Sequence, residues 1–402
     1  MKAEVSYGSV PIVKKTQESA SNKLRTSVRE DVAAIALPWP IDEGAGQNVF
    51  LSQDWFQNLV DNSLNPRQTV RVFLVEDQTQ PGKPVLSLPA FASKPEVFKP
   101  RTLSSLTNFY TPFFTPLIAA GCDRSRALQL LALAIAKDSP RWDAVDLRLL
   151  DRDSPVYGEL VESLKAAGFV VQTYFCSGNW YEPVAGRSYE QYLQGLRSSV
   201  RNIARSKAKK IERSGRARLE IVTGAESLAA ASKAYEKIYN SSWKVSEPYP
   251  QFMPGLLLSF AKAGWLRLGL AYVDEEPAAA QVWFIANGVA SIYKIAYDQK
   301  FRDLSIGSFL TMHMMHHAID VEKVDEIDYL TGDDRYKQDW MSRRRERWGV
   351  LAMNPRTVKG AAAIVRHLGG RSAKRMVQRI AGRLRPRSQQ NQTDPSKGGN
   401  TK

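Results

Sequence analysis

The chain has 402 residues, of which 43% are hydrophobic and 24% are charged, and its formal net charge is +15. This length predicts two domains with tails, and the composition excludes collagen-like, coiled-coil and wholly disordered chains. The two cysteines exclude a disulfide scaffold, and no stretch approaches the ~18 consecutive apolar residues that a membrane-spanning helix needs.

The positive charge is concentrated in two segments. Residues 356–402 hold 12 Lys/Arg and one acid, and residues 197–218 hold nine Lys/Arg and one acid, so the rest of the chain carries −4. Basic segments predict an acidic partner. Apolar residues at helical spacing predict basic amphipathic helices over 356–385, which would lie on an anionic membrane through 361–385 or dock on the protein itself. Residues 386–402 are polar and predicted to be disordered.

The first half of the chain alternates predicted strands and helices. Residues 1–30 are polar and predict a flexible N-terminal segment. Apolar periodicity then predicts, in chain order, a strand over 31–39, a helix over 50–62, a hairpin of strands 71–77 and 85–91, a helix over 124–137, a strand over 142–150, a helix over 154–168 and a strand over 169–175. These elements predict a first α/β domain over 31–195.

The second half follows a similar order. A basic connecting helix is predicted over 196–215, ending where Gly215 can adopt a left-handed conformation. The elements predicted after it are a strand over 216–224, helices over 226–243 and 254–264, an antiparallel meander of strands 265–274, 278–287 and 290–298, a helix over 306–322, and strands 324–332 and 344–353. The order indicates two related domains, the second over 216–355, of α+β (mixed α/β) class.

The junction between the meander and the following helix has the features of an anion site. A loop of residues 299–304 leads into the helix, where the Ser305 hydroxyl can cap the first turn. Gly307 and Ser308 leave that turn open to close approach by a ligand. The unpaired N–H groups and positive dipole end of a helix N-terminus can hold a pyrophosphate, although an ordinary capped helix has the same local features.

Further motifs surround this junction at set spacing. The chain reads Tyr293-Lys294, Tyr297-Asp298, Arg302-x-x-Ser305-x-Gly307, Asp328-Tyr329-Leu330-Thr331-Gly332-Asp333 and Tyr336-Lys337 before Trp340. This run resembles the GNAT acyltransferase superfamily, and within it the FemAB-like branch that includes cellulose-biosynthesis CelD-type proteins. Ser305 stands where the usual loop has its first Gly, and Ile306 where the branch has Pro.

The resemblance implies two GNAT-like domains, each a central, mostly antiparallel sheet flanked by helices, with the donor site in the second. It implies transfer of an acyl group from acyl-CoA, as donor substrate and without a metal, to an amine and less often a hydroxyl. The acceptor would be an amine-bearing small molecule or glycan precursor, such as an amino sugar of exopolysaccharide or envelope synthesis. The expected location is cytoplasmic, or peripheral on the inner face of the membrane.

The resemblance also implies roles for particular residues. The pyrophosphate would be held by Arg302 and the N–H groups at 305–308, and strand 278–287 would pair with the pantetheine arm. The implied cofactor-binding set is Arg302, Ser305, Gly307, Ser308, Tyr293 and Lys294.

The candidates for acid–base and electrostatic catalysis follow the same motifs. They are Asp298, Asp328, Asp333, Tyr336 and Lys337. Acyl transfer needs a deprotonated amine, a polarised carbonyl and a protonated thiolate, so a carboxylate would serve as base, Lys337 would stabilise the oxyanion and Tyr336 would protonate the thiolate. The alternative for each is a solvated residue or an ion pair such as Asp333–Lys337.

Other functions remain open on the sequence alone. As in FemABX relatives, the donor would be an aminoacyl-tRNA whose phosphates contact 197–218; nucleic acid is otherwise not expected as a partner. A non-catalytic assembly protein is the third hypothesis. The spacing of His313, His316 and His317 fits zinc but favours packing. Four aromatic residues are predicted to be core rather than acceptor pocket: Trp243, Tyr249, Phe252 and Trp265.

Overall fold

The computed structural model describes most of the chain between residues 24 and 367. The described residues are 24–35, 48–80, 83–94, 96–198, 200–202, 206, 211, 213 and 215–367. Within these ranges, no helix combines the length and the apolar character needed to cross a membrane. The predictions for residues 1–23 and for the basic tail after residue 367 lie outside the described residues.

The first half of the chain folds largely as its periodicity predicts. Its strands are β1 (Leu24–Arg29), β2 (Gln68–Asp77), β3 (Pro84–Ser93), β4 (Thr102–Ser105), β5 (Leu117–Ile118), β6 (Ala144–Asp151) and β7 (Val170–Pro183). Its helices are α1 (Gln53–Ser63), α2 (Arg124–Lys137), α3 (Pro155–Ala166) and α4 (Tyr189–Gly195). The β2–β3 hairpin and the helix over 124–137 are confirmed.

The second half also matches the predicted element order. Its strands are β8 (Ala217–Val222), β9 (Leu266–Val273), β10 (Glu276–Ala286), β11 (Val289–Tyr297), β12 (Glu326–Thr331) and β13 (Arg343–Met353). Its helices are α5 (Leu228–Asn240), α6 (Phe252–Lys262), α7 (Ile306–His316) and α8 (Lys337–Trp340). The β9–β11 meander is confirmed, and a π-helical turn over His317–Val321 ends the predicted long helix.

One mostly antiparallel sheet runs through both halves. Its strand order is β1-β2-β3-β4-β6-β13-β7-β12-β11-β10-β9-β8, with β5 paired to β3. The pairing is parallel between β4 and β6 and between β11 and β12. The predicted mixed α/β class with helices flanking the sheet is therefore confirmed. The two halves join edge to edge because β7, at 14 residues, pairs with β13 along its length and with β12 near its end.

Three sequence predictions need correction. Leu24–Arg29, placed in a flexible segment, is strand β1, because its backbone completes the ladder of β2. The strand predicted over 31–39 begins instead as a 3₁₀ turn at Val32–Ile35, because that turn buries the side chains of Val32 and Ile35. The last strand, β13, was assigned to the second domain but lies between β6 and β7 of the first half, where Val350 and Ala352 are fully buried.

The main core crosses the boundary between the halves. Trp55 on α1 is fully buried and makes an edge-to-face contact with Phe252 on α6, with ring centroids 5.6 Å apart. Asn58 donates a hydrogen bond to the carbonyl of Phe252 at 3.2 Å. Gly255 permits this approach, since a Cβ there would lie 2.3 Å from the Asn58 amide oxygen. Helices α1 and α6 thus hold the two halves together beneath the sheet.

The basic connecting segment is helical wherever it is described. Residues 198, 200–202, 206, 211 and 213 have helical conformation, and Gly215 has φ +64°, as its predicted left-handed role requires. Ile211 is buried in the core of the second half. Arg197 lies 3.8 Å from the Asp339 carboxylate. The contact of this segment with phosphates remains a prediction.

Candidate active site

Two cavities meet where β11 and β12 diverge. These strands pair in parallel through Val289–Ser291 and Glu326–Asp328. Beyond that register, residues 292–297 of β11 line the cavities. A strand edge that is released from its neighbour can pair with an extended ligand through its backbone groups. The divergence therefore offers a ligand groove at the centre of the second half.

The helix cavity, about 570 Å³, lies at the N-terminus of α7. Four residues of the predicted pyrophosphate set come together in its lining: Arg302, Ser305, Gly307 and Ser308. The first-turn N–H groups of α7 have no acceptor within the helix. A Cβ on Gly307 would lie 3.2 Å from the Tyr297 ring, so glycine lets that ring pack against the turn.

Ser305 does not cap α7 as predicted. Its backbone is left-handed, with φ +54°, and its side chain makes no capping hydrogen bond. It ends the preceding 3₁₀ turn, where its N–H donates to the carbonyl of Arg302 at 3.0 Å. Its role at the cavity is therefore to turn the backbone sharply from the loop into the helix.

Arg302 is the basic side chain of the loop that faces this cavity. Lys300, two residues earlier, pairs with Glu276 instead. Among the described residues, no carboxylate lies within ion-pair distance of the exposed Arg302 guanidinium. Arg302 is therefore positioned to meet an anionic ligand beside the helix N-terminus.

The lysine cavity, about 300 Å³, lies on the other side of the divergence. Its lining includes the ammonium-bearing side chains of Lys244, Lys294 and Lys337 and the carboxylate of Asp334. Tyr293 and Lys294, predicted to bind the cofactor with the loop, line this cavity rather than the helix cavity. They do so because they precede the part of β11 that faces α7, and their cofactor-binding role stays a prediction.

Lys337 is buried and held by the bulged end of β12. Its ammonium donates hydrogen bonds to the carbonyls of Tyr329, at 3.1 Å, and Thr331, at 2.5 Å. Burial lowers the pKa of Lys337, and the carboxylate of Asp334, 3.8 Å away, offsets part of that effect. The Asp333–Lys337 pair considered from the sequence does not form.

Tyr329 and Tyr336 line both cavities and separate them. Their rings make an edge-to-face contact with centroids 5.8 Å apart. Tyr336 is 41% exposed. Burial, with a smaller contribution from Asp334, raises the pKa of Tyr336 to about 12. Its phenol is therefore protonated at neutral pH and stands where groups bound in the two cavities would meet.

Two carboxylates of the predicted catalytic set have local roles outside both cavity linings. Asp298 accepts a hydrogen bond from the N–H of Lys300 at 3.0 Å and so caps the 3₁₀ turn over Gln299–Leu304. Asp333 forms a two-point ion pair with Arg344, at 2.7 and 2.9 Å, which lowers the pKa of Asp333. The geometry thus gives neither carboxylate a place at the junction of the cavities.

Asp328, the third predicted carboxylate, is only 4% exposed and has its acceptors filled from inside the protein. One oxygen accepts from the Asn179 amide and, at 2.6 Å, from the N–H of Leu330; the other accepts from Arg345 at 2.6 Å. Leu330 has φ +54° within a break in the β7–β12 register. Asp328 therefore stabilises the bulge whose carbonyls hold Lys337.

The strand predicted to pair with a pantetheine arm also needs correction. β10 is hydrogen-bonded to β9 along one edge and to β11 along the other, so its backbone groups are occupied. The edge of β11 beyond Ser291 is the one that diverges from its neighbour. The sequence did not indicate which strand has an unpaired edge, because strand order cannot be read from local periodicity.

Several lining residues were not predicted. Lys244, Tyr329, Thr331 and Asp334 line the lysine cavity, and Glu247 pairs with Lys294 at 2.9 Å. Asp334 and Tyr329 lie within the motif run, so their closeness in sequence to the predicted site residues could have indicated them. Lys244 and Glu247 lie in a loop after α5 that carries no motif.

The aromatic residues divide between core and cavity. Phe252 is fully buried, and Tyr249 and Trp265 pack against the main core, as predicted. Trp243 is 50% exposed, lines the helix cavity and lies 4.6 Å from the Tyr297 ring centroid, so its assignment to the core was wrong. Trp243 and Tyr297 together form an aromatic wall of the helix cavity.

The three histidines on α7 and its π-helical turn lie apart from both cavities. His316 lies 3.5 Å from Asp320, and His317 lies 3.1 Å from Glu322. Burial and the two neighbouring histidines lower the pKa of His313. Across the described part of the chain, no three or more His, Cys, Asp or Glu side chains are grouped to hold a metal ion.

Comparisons with known proteins show what this chain is similar to. Residues 198–338 match the family model described as an acetyltransferase (GNAT) domain. No curated protein sequence matches the chain.

Solved structures resemble this chain at low sequence identity, and two of them, with TM-scores of 0.51, share its fold. FemX is 12% identical, with 80% of this chain and 94% of FemX covered and a TM-score of 0.51. A conserved protein of unknown function from Bacteroides thetaiotaomicron is 10% identical. The match covers 82% of this chain and 100% of that protein, with a TM-score of 0.51. A tandem GNAT protein from the clavulanic acid biosynthesis pathway is 11% identical. The match covers 83% of this chain and 100% of that protein, with a TM-score of 0.45.

Proposed function

We propose that this chain, a FemAB-like member of the GNAT superfamily, transfers an acyl group from acyl-CoA to an amine. The observation that carries the proposal is the pair of cavities that meet at Tyr329 and Tyr336. A thioester bound through the helix cavity would present its carbonyl at this junction. An amine held in the lysine cavity would then approach the carbonyl from the opposite side.

Donor binding would use the start of α7, the Arg302 side chain and the diverging edge of β11. The N–H groups at the start of α7 and the Arg302 guanidinium would bind the pyrophosphate, because both present positive charge at one mouth of the helix cavity. The diverging edge of β11 would pair with the amides of the pantetheine arm and direct the thioester towards the junction.

The side chains at the junction would manage charge and protons. The Lys337 ammonium would stabilise the negative charge that develops on the carbonyl oxygen. As the amine nitrogen attacks the carbonyl carbon, the carbon–sulfur bond breaks, and Tyr336 would give its proton to the leaving thiolate. Asp334, the carboxylate in the lysine-cavity lining, would accept the proton that the amine loses.

The resemblance to CelD-type proteins supports one acceptor class. An amino sugar, or a glycan precursor carrying an amine, would enter from the lysine cavity and place the chain in exopolysaccharide or envelope synthesis. Phe109 lines this cavity and is 73% exposed, so its ring offers an apolar surface against which a sugar ring can pack.

Arg302→Ala is expected to weaken the binding of CoA by about ten- to hundred-fold, because it removes charge-assisted hydrogen bonds to the pyrophosphate. Isothermal titration calorimetry on the full-length chain measures the change. Lys300→Ala is the matched control, since it removes the same charge from the same loop but from a side chain paired with Glu276. An unchanged affinity in Arg302→Ala, or transfer from aminoacyl-tRNA with steep salt dependence instead, would refute the proposed donor site.

We also propose that the basic tail binds an anionic membrane surface. Deletion should begin at residue 368, because Arg356 and Lys359 donate to carbonyls of the first half and Ala363 is buried. Removing 368–402 is expected to leave acyl transfer unchanged and to weaken binding to phosphatidylserine vesicles by at least about ten-fold. Cosedimentation tests the second effect; vesicle binding that survives the deletion would contradict it.

A further inference from the structure

We propose that the acceptor carries a carboxylate or phosphate in addition to its amine, and that Lys244 binds this anion in the lysine cavity. The identification of the ligand as the acceptor rests on the proposed function. The anion site itself rests on the charges, contacts and burial of the described residues around the cavity.

The lining of the lysine cavity carries an excess of positive charge. Three ammonium groups, those of Lys244, Lys294 and Lys337, face one lining carboxylate, Asp334. Glu247 adds a second carboxylate from behind Lys294. Even with both carboxylates ionised, the group retains a positive charge that a bound anion would balance. A positively charged, partly enclosed cavity attracts and holds anionic ligands.

Two of the three ammonium groups are already engaged within the protein. Lys294 pairs with Glu247 at 2.9 Å and lies 4.9 Å from the Tyr110 ring centroid. Burial would raise the pKa of Glu247, but the Lys294 ammonium and the nearby Tyr110 phenol outweigh burial and lower it. Lys337 donates to two backbone carbonyls. Both ammonium groups therefore add to the positive electrostatic potential of the cavity, while most of their N–H donors are already used within the protein.

Lys244 differs from both. Among the described residues, no carboxylate lies within ion-pair distance of its ammonium, which lies 5.8 and 5.9 Å from the ring centroids of Tyr239 and Trp243. Burial, followed by repulsion from Lys294 and Lys337, lowers the pKa of Lys244 to about 8, although Glu247 and Asp334 oppose the change. A half-buried ammonium without a counter-ion has donors that an anionic ligand group can satisfy.

The rest of the cavity suits a small polar molecule with an apolar face. Phe109, Tyr110 and Ile292 provide apolar lining beside the charged side chains. The volume of about 300 Å³ is enough for one sugar-sized ring with a charged substituent. An acceptor held by its anion at Lys244 would be fixed in orientation, with its amine free to point towards the Tyr336 junction.

The test compares three probes that share one amino-sugar ring: glucosamine, glucosamine 6-phosphate and 2-amino-2-deoxyglucuronate. Calorimetry with the full-length chain at pH 7 is expected to show at least about ten-fold tighter binding of an anionic probe than of glucosamine. Lys244→Met should abolish this preference and Lys244→Arg should restore most of it. Whether the phosphate or the carboxylate probe binds more tightly identifies the anion.

Lys262→Met is the matched control, since Lys262 is exposed at the end of α6 and does not line the cavity. The anion preference should also decline as pH rises through about 8, where Lys244 loses its proton. Equal binding of all three probes, no binding of either anion, or a preference that survives in Lys244→Met overturns the inference. The Arg302→Ala experiment measures donor binding, so failure of the proposed function and failure of this inference give different results.

Discussion

Tyr336→Phe is expected to lower kcat for acyl transfer by about 10²- to 10⁴-fold, the usual contribution of a positioned general acid. The phenylalanine ring keeps the edge-to-face contact with Tyr329 and removes only the hydroxyl. Because the pKa of Tyr336 is raised to about 12, the phenol of the wild-type protein is protonated and able to donate at neutral pH. Steady-state kinetics with saturating acyl-CoA measures the loss.

The effect should be on the chemical step rather than on donor binding. The KM for acyl-CoA is therefore expected to change little in Tyr336→Phe. Tyr297→Phe is the matched control, because Tyr297 lines the helix cavity and packs against Gly307 but does not line the junction with the lysine cavity. If both variants lose the same activity, or if only KM rises in Tyr336→Phe, the phenol is not the proton donor.

Asp328→Ala is expected to lower the free energy of unfolding by about 1–3 kcal/mol, because buried donors lose their acceptor while the partly buried Arg345 keeps only Glu326 as a counter-charge. The amide of Asn179 and the N–H of Leu330 lose an acceptor at the same time. Urea denaturation measures the change. Activity should fall as well, since the Leu330 bulge presents the carbonyls that hold Lys337.

Asp333→Ala is the matched control for stability. Asp333 lies five positions later and also pairs with an arginine, Arg344, but the pair is exposed, so its loss should cost less than about 1 kcal/mol. Equal destabilisation by the two variants would show that burial of Asp328 does not determine its contribution. Full stability with lost activity in Asp328→Ala would restore the catalytic role predicted from the sequence.

The secondary structure was largely predictable because it depends on local periodicity. The helix over 124–137 and the β9–β11 meander follow from apolar spacing and turn residues, and the structure has them at the predicted places. The errors occurred where tertiary pairing decides. Leu24–Arg29 is too polar to be recognised as a strand, yet it forms one because the β2 edge supplies its hydrogen bonds.

The candidate site was predictable to the same extent and for the same reason. Arg302, Ser305, Gly307 and Ser308 come together because they lie within seven residues of one loop and helix start. Lys244 and Glu247 come from a loop about fifty residues earlier, and only the packing of α5 beside the sheet brings them to Lys294. Sequence spacing does not report such contacts.

The sequence by itself determined most of the element order, the mixed α/β class and the grouping of the loop residues at the start of α7, because each depends on residues that are neighbours along the chain. The tertiary structure alone decided which charged residues face the cavities. Asp328 and Lys337 belong to one motif run, but burial against Arg345 makes the first a structural anchor, while the bulge of β12 directs the second to the lysine cavity. Charge and burial depend on long-range packing, and so a carboxylate's role cannot be inferred from its motif alone.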